Sequence, residues 1–206
     1  MVSRLRLGVL ISGRGSNLAA LIEACADPAF PAEIACVLSN RPEARGLDIA
    51  REAGLPARAI DHKAHESRES FEAELDRALR AADVGLVCSA GFMRVLTAGF
   101  TRAWEGRMIN IHPSLLPSFP GLHPQAQALA AGVKVSGCTV HYVTADVDAG
   151  PIVAQAAVPV LAGDDEDSLA ARILKAEHKL YPRAVRLIAD GRVRIEGQVA
   201  VVDERE

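Results

Sequence analysis

Asn110 and His112 stand one residue apart in the run Met-Ile-Asn-Ile-His at 108–112, and Asp148 lies just ahead of Gly150. If that run is a strand, alternation puts the Asn110 and His112 side chains on one side and Ile111 on the other. An amide that can donate a hydrogen bond and an imidazole that can carry a proton, held by a stiff backbone, are what an oxyanion or proton-transfer site requires, and Asp148 ends a second polar cluster that begins at Gly137. Prolines at 113, 117, 120 and 124 stiffen the chain that follows. Each residue also has a plain alternative: a lone histidine is more often structural, and an aspartate before a glycine turn often caps it. His112, His123, His141 and Asp148 are metal-ligating types, but no helical or Cys-x-x-Cys spacing joins them, so no metal is expected.

Two further loops carry polar or large side chains at strand ends. Ser12-Gly13-Arg14-Gly15-Ser16-Asn17 separates an apolar run from a helical pattern, and its glycines allow close approach of an anion while Ser16 and Asn17 cap and donate. A phosphate site and an ordinary strand-to-helix turn fit that loop equally well. A dinucleotide fits it less well. Leu18 takes the place of the third glycine of G-x-G-x-x-G, and Ser39-Asn40-Arg41 replaces the expected acid, although Arg41 could meet a 2′-phosphate. Ser89-Ala90-Gly91-Phe92-Met93-Arg94 suits either the wall of a flat aromatic ligand or core packing.

These loops need a scaffold, and the hydrophobic pattern supplies one. Apolar runs at 5–11, 33–39, 57–60, 84–89 and 108–111 alternate with amphipathic stretches at 17–26, 44–53, 67–82 and 97–104. That alternation predicts βαβ units and an α/β, mostly parallel, twisted, Rossmann-like sheet flanked by helices. Runs at 135–143 and 151–160 predict an antiparallel extension toward the C-terminus, and those at 193–195 and 199–202 a terminal hairpin, with 203–206 fraying. Acids at 164–167 open a long helix with a stripe at Leu169, Ile173, Ala176 and Leu180, and Pro182 is expected to bend or end it.

With 206 residues, 50% hydrophobic and only 4% aromatic, the whole chain, 1–206, is expected to form one domain with an aliphatic core. A net charge of −3 gives no general attraction to nucleic acid or to an anionic membrane, so an anionic small molecule must be held by local donors. No apolar run approaches the roughly 20 residues of a membrane helix, and the start of the chain reads as a strand instead of a signal peptide. Cys25, Cys36, Cys88 and Cys138 are widely spaced in apolar surroundings, which points to reduced thiols and a cytoplasmic setting.

The ordered motifs resemble one family. LISGRGSN at 10–17, AGFMRVL at 90–96, NIHPSLLP at 110–117, PGLH at 120–123, the stretch 137–150 and AEHKLY at 176–181 are similar to those of the glycinamide ribonucleotide formyltransferases, folate-dependent enzymes of one-carbon metabolism and purine synthesis. The resemblance runs over nearly the whole chain. It implies transfer of a formyl group from 10-formyltetrahydrofolate, as co-substrate, to the amine of a phosphoribosylglycinamide, with small-molecule partners only and no metal. It further implies Asn110, His112 and Asp148 as the catalytic set. Gly15, Ser16, Asn17 and Glu177 match ribonucleotide contacts, and Arg68, Met93, Arg94, Val95, Leu96 and Asn110 match folate contacts. Ala145 stands where many relatives carry an acid, and Pro124-Gln125-Ala126 replaces a more polar start to the helix after His123.

Three rivals remain at this level. A formyltetrahydrofolate hydrolase or a methionyl-tRNA formyltransferase has a similar Asn, His, Asp centre but usually an extra domain, for which this chain leaves no room. A nucleotide- or NADP-binding module using the 13–17 turn leaves Asn110, His112 and Asp148 without a task. Oligomeric state is not legible in one sequence.

Overall fold

The computed structural model describes residues 4–203. Five short apolar runs form parallel strands: β1 Leu5–Ile11, β2 Ala32–Ser39, β3 Ala57–Ala59, β4 Leu86–Ser89 and β5 Met108–His112. Helices α1 Ser16–Ala26, α2 Arg45–Glu52, α3 Arg68–Ala81 and α4 Ala98–Ala103 connect them. Helix α5, Pro124–Ala130, follows β5. Two longer strands, β6 Val135–Tyr142 and β7 Ile152–Pro159, continue the sheet in antiparallel fashion, giving the order β3-β2-β1-β4-β5-β6-β7. Helix α6, Glu166–Ala189, then crosses back, and β8 Val193–Glu196 pairs with β9 Val199–Val202 in a separate two-stranded ribbon.

Outside the edge strand β3, where Arg58 is exposed, the parallel strands are largely buried, which is why they read as mostly apolar runs. Leu7, Val9 and Ile11 of β1 pack among α1, α2 and α6, while Leu10 turns to the opposite layer with Leu75 and Leu79 of α3 and the fully buried Trp104. Each such leucine or isoleucine contributes about 1.5–3 kcal/mol by leaving water. Polar groups fix the register of the layers. Tyr181 of α6 is buried, and its hydroxyl donates to the Ser89 carbonyl at 2.8 Å, at the end of β4. Helix α3 opens with a reciprocal Ser67–Ser70 capping box, and α6 with Asp165–Ser168.

Of the two outcomes expected at Pro182, the helix does not end there: seven further helical residues run to Ala189. A proline inside a helix removes one N–H and crowds the preceding turn, at about 3 kcal/mol. Burial of Leu180, Tyr181, Ala184, Val185 and Leu187 on both sides of it supplies the offsetting term. Smaller differences are local. Strand β4 begins at Leu86, two residues after the expected start, and a short 3₁₀ turn at His62–Ala64 carries no apolar periodicity that would announce it. Of the expected fraying at 203–206, residues 204–206 lie outside the described residues. Among the described residues, no helix is long and apolar enough to cross a membrane.

The strand order decides where a ligand can sit. Strand β1 has β2 on one side and β4 on the other, so the connections after β1 and β4 leave in opposite directions and open a crevice at their carboxyl ends. The loops at 12–17 and 89–97 flank that crevice, and β5 brings its own carboxyl end beside it.

Candidate active site

Glycine shapes the first wall. Gly15 holds φ at 77°, and a Cβ there would lie 2.6 Å from Gly46 Cα, so only glycine lets the loop rest on the start of α2. Gly13 O accepts from Gly46 N at 3.0 Å in the same contact. The loop delivers Asn17 to the first turn of α1, where its Nδ2 donates to Glu177 Oε2 of α6 at 2.7 Å. Both residues are buried, and burial pushes the Glu177 carboxyl upward against the opposing effect of the Asn17 hydrogen bond. Asn17 Oδ1 is buried without a hydrogen-bond partner.

Strand β5 forms the floor. Pairing with β6 sets Asn110 opposite His141 and His112 opposite Thr139. The buried His141 Nδ1 faces its neighbour's carbonyl, Tyr142 O, at 2.9 Å, so that nitrogen carries the proton and Nε2 presents a lone pair. Asn110 Nδ2 approaches Nε2 at 3.4 Å. Desolvation is the largest influence on His141 and lowers its pKa below 6.5, over the raising effects of the Tyr142 hydrogen bond and Asp148. The neutral ring thereby fixes which way the Asn110 amide is turned.

Asp148 ties three segments together. Its backbone is left-handed, with φ 53°, a conformation that aspartate and asparagine tolerate better than most residues. Among the described residues its carboxylate has no hydrogen bond within its own turn. Instead Oδ2 accepts from Gly121 N at 2.8 Å and lies 3.4 Å from His112 Nδ1, while Oδ1 lies 3.7 Å from His141 Nε2. The other His112 nitrogen, Nε2, is 3.0 Å from Phe119 O. Both His112 nitrogens thus face oxygen acceptors. The segment that bears Asp148 is drawn against β6 at Gly150, where a Cβ would lie 1.8 Å from Tyr142 O.

These groups line one cavity of about 670 Å³. Asn17, Glu177, Asn110, His112, His141 and Asp148 all reach it, as do Met93, Arg94, Val95 and Leu96 from the loop after β4 and the stretch 143–147 after β6. Of the residues named from the sequence, Gly15 and Ser16 shape the loop without lining the cavity. Arg68 lies exposed at the start of α3, also outside its lining. His141 was visible in the sequence only as a candidate metal ligand. Its signal for this site is cross-strand: a buried histidine opposite Asn110. His123 is exposed at the cavity edge, 3.5 Å from Glu166, a contact of little energetic weight. Among the described residues, no group of three or more His, Cys, Asp and Glu could hold a metal ion.

Residues 5–185 match the family model described as formyl transferase. The chain belongs to the formyl transferase family. It is 44% identical over 195 residues to the phosphoribosylglycinamide formyltransferase of Escherichia coli strain K12, covering 95% of this chain and 92% of that protein. It is 56% identical over 199 residues to the trifunctional purine biosynthetic protein adenosine-3 of Drosophila melanogaster, covering 96% of this chain but only 15% of that much longer protein. Among solved structures, the glycinamide ribonucleotide transformylase 1 of Symbiobacterium toebii superposes with a TM-score of 0.94 at 52% identity, over 97% of this chain and 94% of that one. A formyl transferase fold thus accounts for the sheet, the antiparallel extension and the placement of the cavity.

Proposed function

We propose that this formyl transferase moves the formyl group of 10-formyltetrahydrofolate to the amine of 5′-phosphoribosylglycinamide, giving formylglycinamide ribonucleotide and tetrahydrofolate in purine synthesis. The observation that carries the reading is the convergence of Asn110, His112 and Asp148 on a cavity with a buried polar pair, Asn17 and Glu177, on one wall and apolar loops on another. The unpaired Asn17 Oδ1 suits a ligand with N–H or O–H donors, since a buried acceptor left alone costs about 1–3 kcal/mol. The N-terminus of α1 and the glycine loop suit its phosphate. The Met93–Leu96 segment suits a flat heterocycle.

The chemistry follows from the same geometry. The neutral amine attacks the formyl carbon, a C–N bond forms, and the formyl oxygen takes negative charge in a tetrahedral intermediate. Asn110, its amide turned by His141, donates to that oxygen. His112 Nε2 donates as well by exchanging the Phe119 carbonyl for the oxyanion, a stronger acceptor. Asp148 holds the His112 ring and helps carry the proton released by the amine to N10 as the bond from N10 to the formyl carbon breaks. Folate brings the activated group, and the protein supplies position and electrostatics.

The test measures tetrahydrofolate release with and without phosphoribosylglycinamide. Release that depends on the ribonucleotide, with formylated product, is expected. Equal release in its absence would make water the acceptor and replace this reading with hydrolysis. Nucleotide or NADP binding without any formyl transfer would make the fold a binding module.

A further inference from the structure

The segment from Gly91 to Thr97 belongs to no helix or strand, and it exposes Met93 and Val95 at 64% and 59%. Apolar side chains on a loop of this kind ordinarily belong to a mobile stretch. Here both ends of the backbone are tied to buried polar side chains from other elements. At the first end, Ser12 N donates to Gly91 O at 3.1 Å, and Met93 N donates to Ser12 Oγ at 2.8 Å. The Ser12 hydroxyl gives its own proton to Asn40 Oδ1 at 2.5 Å, which leaves its lone pairs for Met93. Ser12 and Asn40 are both buried.

At the other end, Glu72 of α3 is 4% exposed, and its two carboxylate oxygens accept from Thr97 N, at 2.8 Å, and from Thr97 Oγ1. Thr97 in turn caps α4 by accepting from Phe100 N. A buried carboxylate costs desolvation that its hydrogen bonds only partly offset. What it does supply is a fixed position for one residue, held by two directional bonds.

We propose that Ser12 and Glu72 are positioning residues for the folate: they clamp the two ends of the Gly91–Thr97 segment so that Met93 to Leu96 present a preformed wall to the heterocycle. The inference rests on the formyl folate reading above. A wall fixed in advance loses little freedom when ligand arrives, and this raises affinity without any contact from the clamping residues themselves. Neither residue lines the cavity. The Glu72 end of the clamp is separate from the Asn17–Glu177 wall, whereas Ser12 also opens the loop that runs to Asn17.

Ser12→Ala, Glu72→Leu and Glu72→Gln test this by titration calorimetry with tetrahydrofolate, by steady-state kinetics and by thermal melting. Ser12→Ala and Glu72→Leu are expected to weaken tetrahydrofolate about tenfold and to raise KM for formyl folate in parallel. In Glu72→Leu the KM for ribonucleotide and kcat should stay within about twofold. Glu72→Gln offers an acceptor to Thr97 N and a donor to Thr97 Oγ1, so it should stay within about threefold of the parent. Glu72→Leu leaves the Thr97 N–H and hydroxyl without their acceptor, so it should also melt lower, while its loss of affinity is confined to folate. Unchanged tetrahydrofolate affinity in Ser12→Ala and Glu72→Leu, or a parallel rise of both KM values with a fall of kcat in Glu72→Leu, overturns the proposal. If Glu72→Leu does not fold, tetrahydrofolate affinity in Ser12→Ala decides. Failure of the function reading is a separate result: parent protein that binds tetrahydrofolate but transfers no formyl group to the ribonucleotide.

Discussion

The two walls of the cavity are built on opposite plans. The wall at the start of α1 is polar, buried and set by close backbone contact: Gly15 rests on Gly46, and Asn17 meets Glu177 at 2.7 Å. The wall formed by 91–97 and 143–147 is largely apolar and open, with Val147 as well as Met93 and Val95 more than half exposed. Buried polar groups reject a ligand that lacks the right donors by a large factor, whereas an apolar wall discriminates weakly, by about 1–3 kcal/mol per methylene-sized difference. The polar wall should therefore set the identity of the acceptor and the apolar wall should hold the donor mainly through area. Asn110, His112 and Asp148 serve both.

The largest effect is expected where the two walls meet. Asp148→Asn keeps a residue that accepts the left-handed backbone at φ 53° but removes the charge beside His112. We expect kcat to fall about 10²-fold or more with both KM values little changed, measured under saturating substrates. Near-parent turnover would break the comparison at its centre, because neither wall would then be serving an Asp148-assisted transfer.

The polar wall comes next. Glu177→Gln should raise the KM for ribonucleotide about tenfold while leaving the KM for formyl folate alone, since one charge-assisted hydrogen bond is lost. Its stability should change with the opposite sign. Burial raises the Glu177 carboxyl above its ordinary 4.5, so the folded state holds that proton more tightly than the unfolded state. The stabilisation from this group is present in full below 4.5 and is lost as pH rises through the raised value. Glu177→Gln should therefore melt higher relative to the parent at pH 8 than at pH 4. A variant no more stable at pH 8 would show that the ionised carboxylate is not strained by burial.

These two walls also differ in how much the sequence revealed. The glycine loop was visible because Gly, Ser and Asn at a strand end have a local meaning, and Asn110 and His112 were visible because strand alternation is local too. What joined them was not. The Asn17–Glu177 bond spans 160 positions and the Asp148–Gly121 bond spans 27, so residue types alone left Asp148 as plausible in a turn cap as in a site. His141 acquires its role only from the β5–β6 register, and Ser12 and Glu72 act on a segment distant from both in the chain. The alternation of strands and helices carried most of the fold. It could not show that packing of α6 outweighs the cost of Pro182.

On the apolar wall, Met93→Ala should be the mildest of the kinetic changes. Met93 is exposed, so its truncation should leave the melting temperature unchanged within measurement. If folate covers about half of that side chain, the lost burial corresponds to about 1 kcal/mol, or roughly a fivefold rise in KM for formyl folate. The ribonucleotide KM should not move.

The smallest effect concerns the hinge between the walls, His141. Burial lowers its pKa below 6.5, so the unfolded chain takes up a proton at higher pH than the folded protein does. The stability it contributes is complete above 6.5 and is lost as pH falls from 6.5 through the lowered value. His141→Gln has no such titration, and its amide can still accept from Asn110. Melting curves from pH 8 to pH 5 should therefore converge: the parent loses more stability than the variant, by an amount set by how far burial depresses the ring. If the difference between the two is constant with pH, His141 does not enter the fold as a neutral ring. The Asn110 amide would then be oriented by something other than the lone pair on Nε2, and the join between the polar and apolar walls would have to be rebuilt around Asp148 alone.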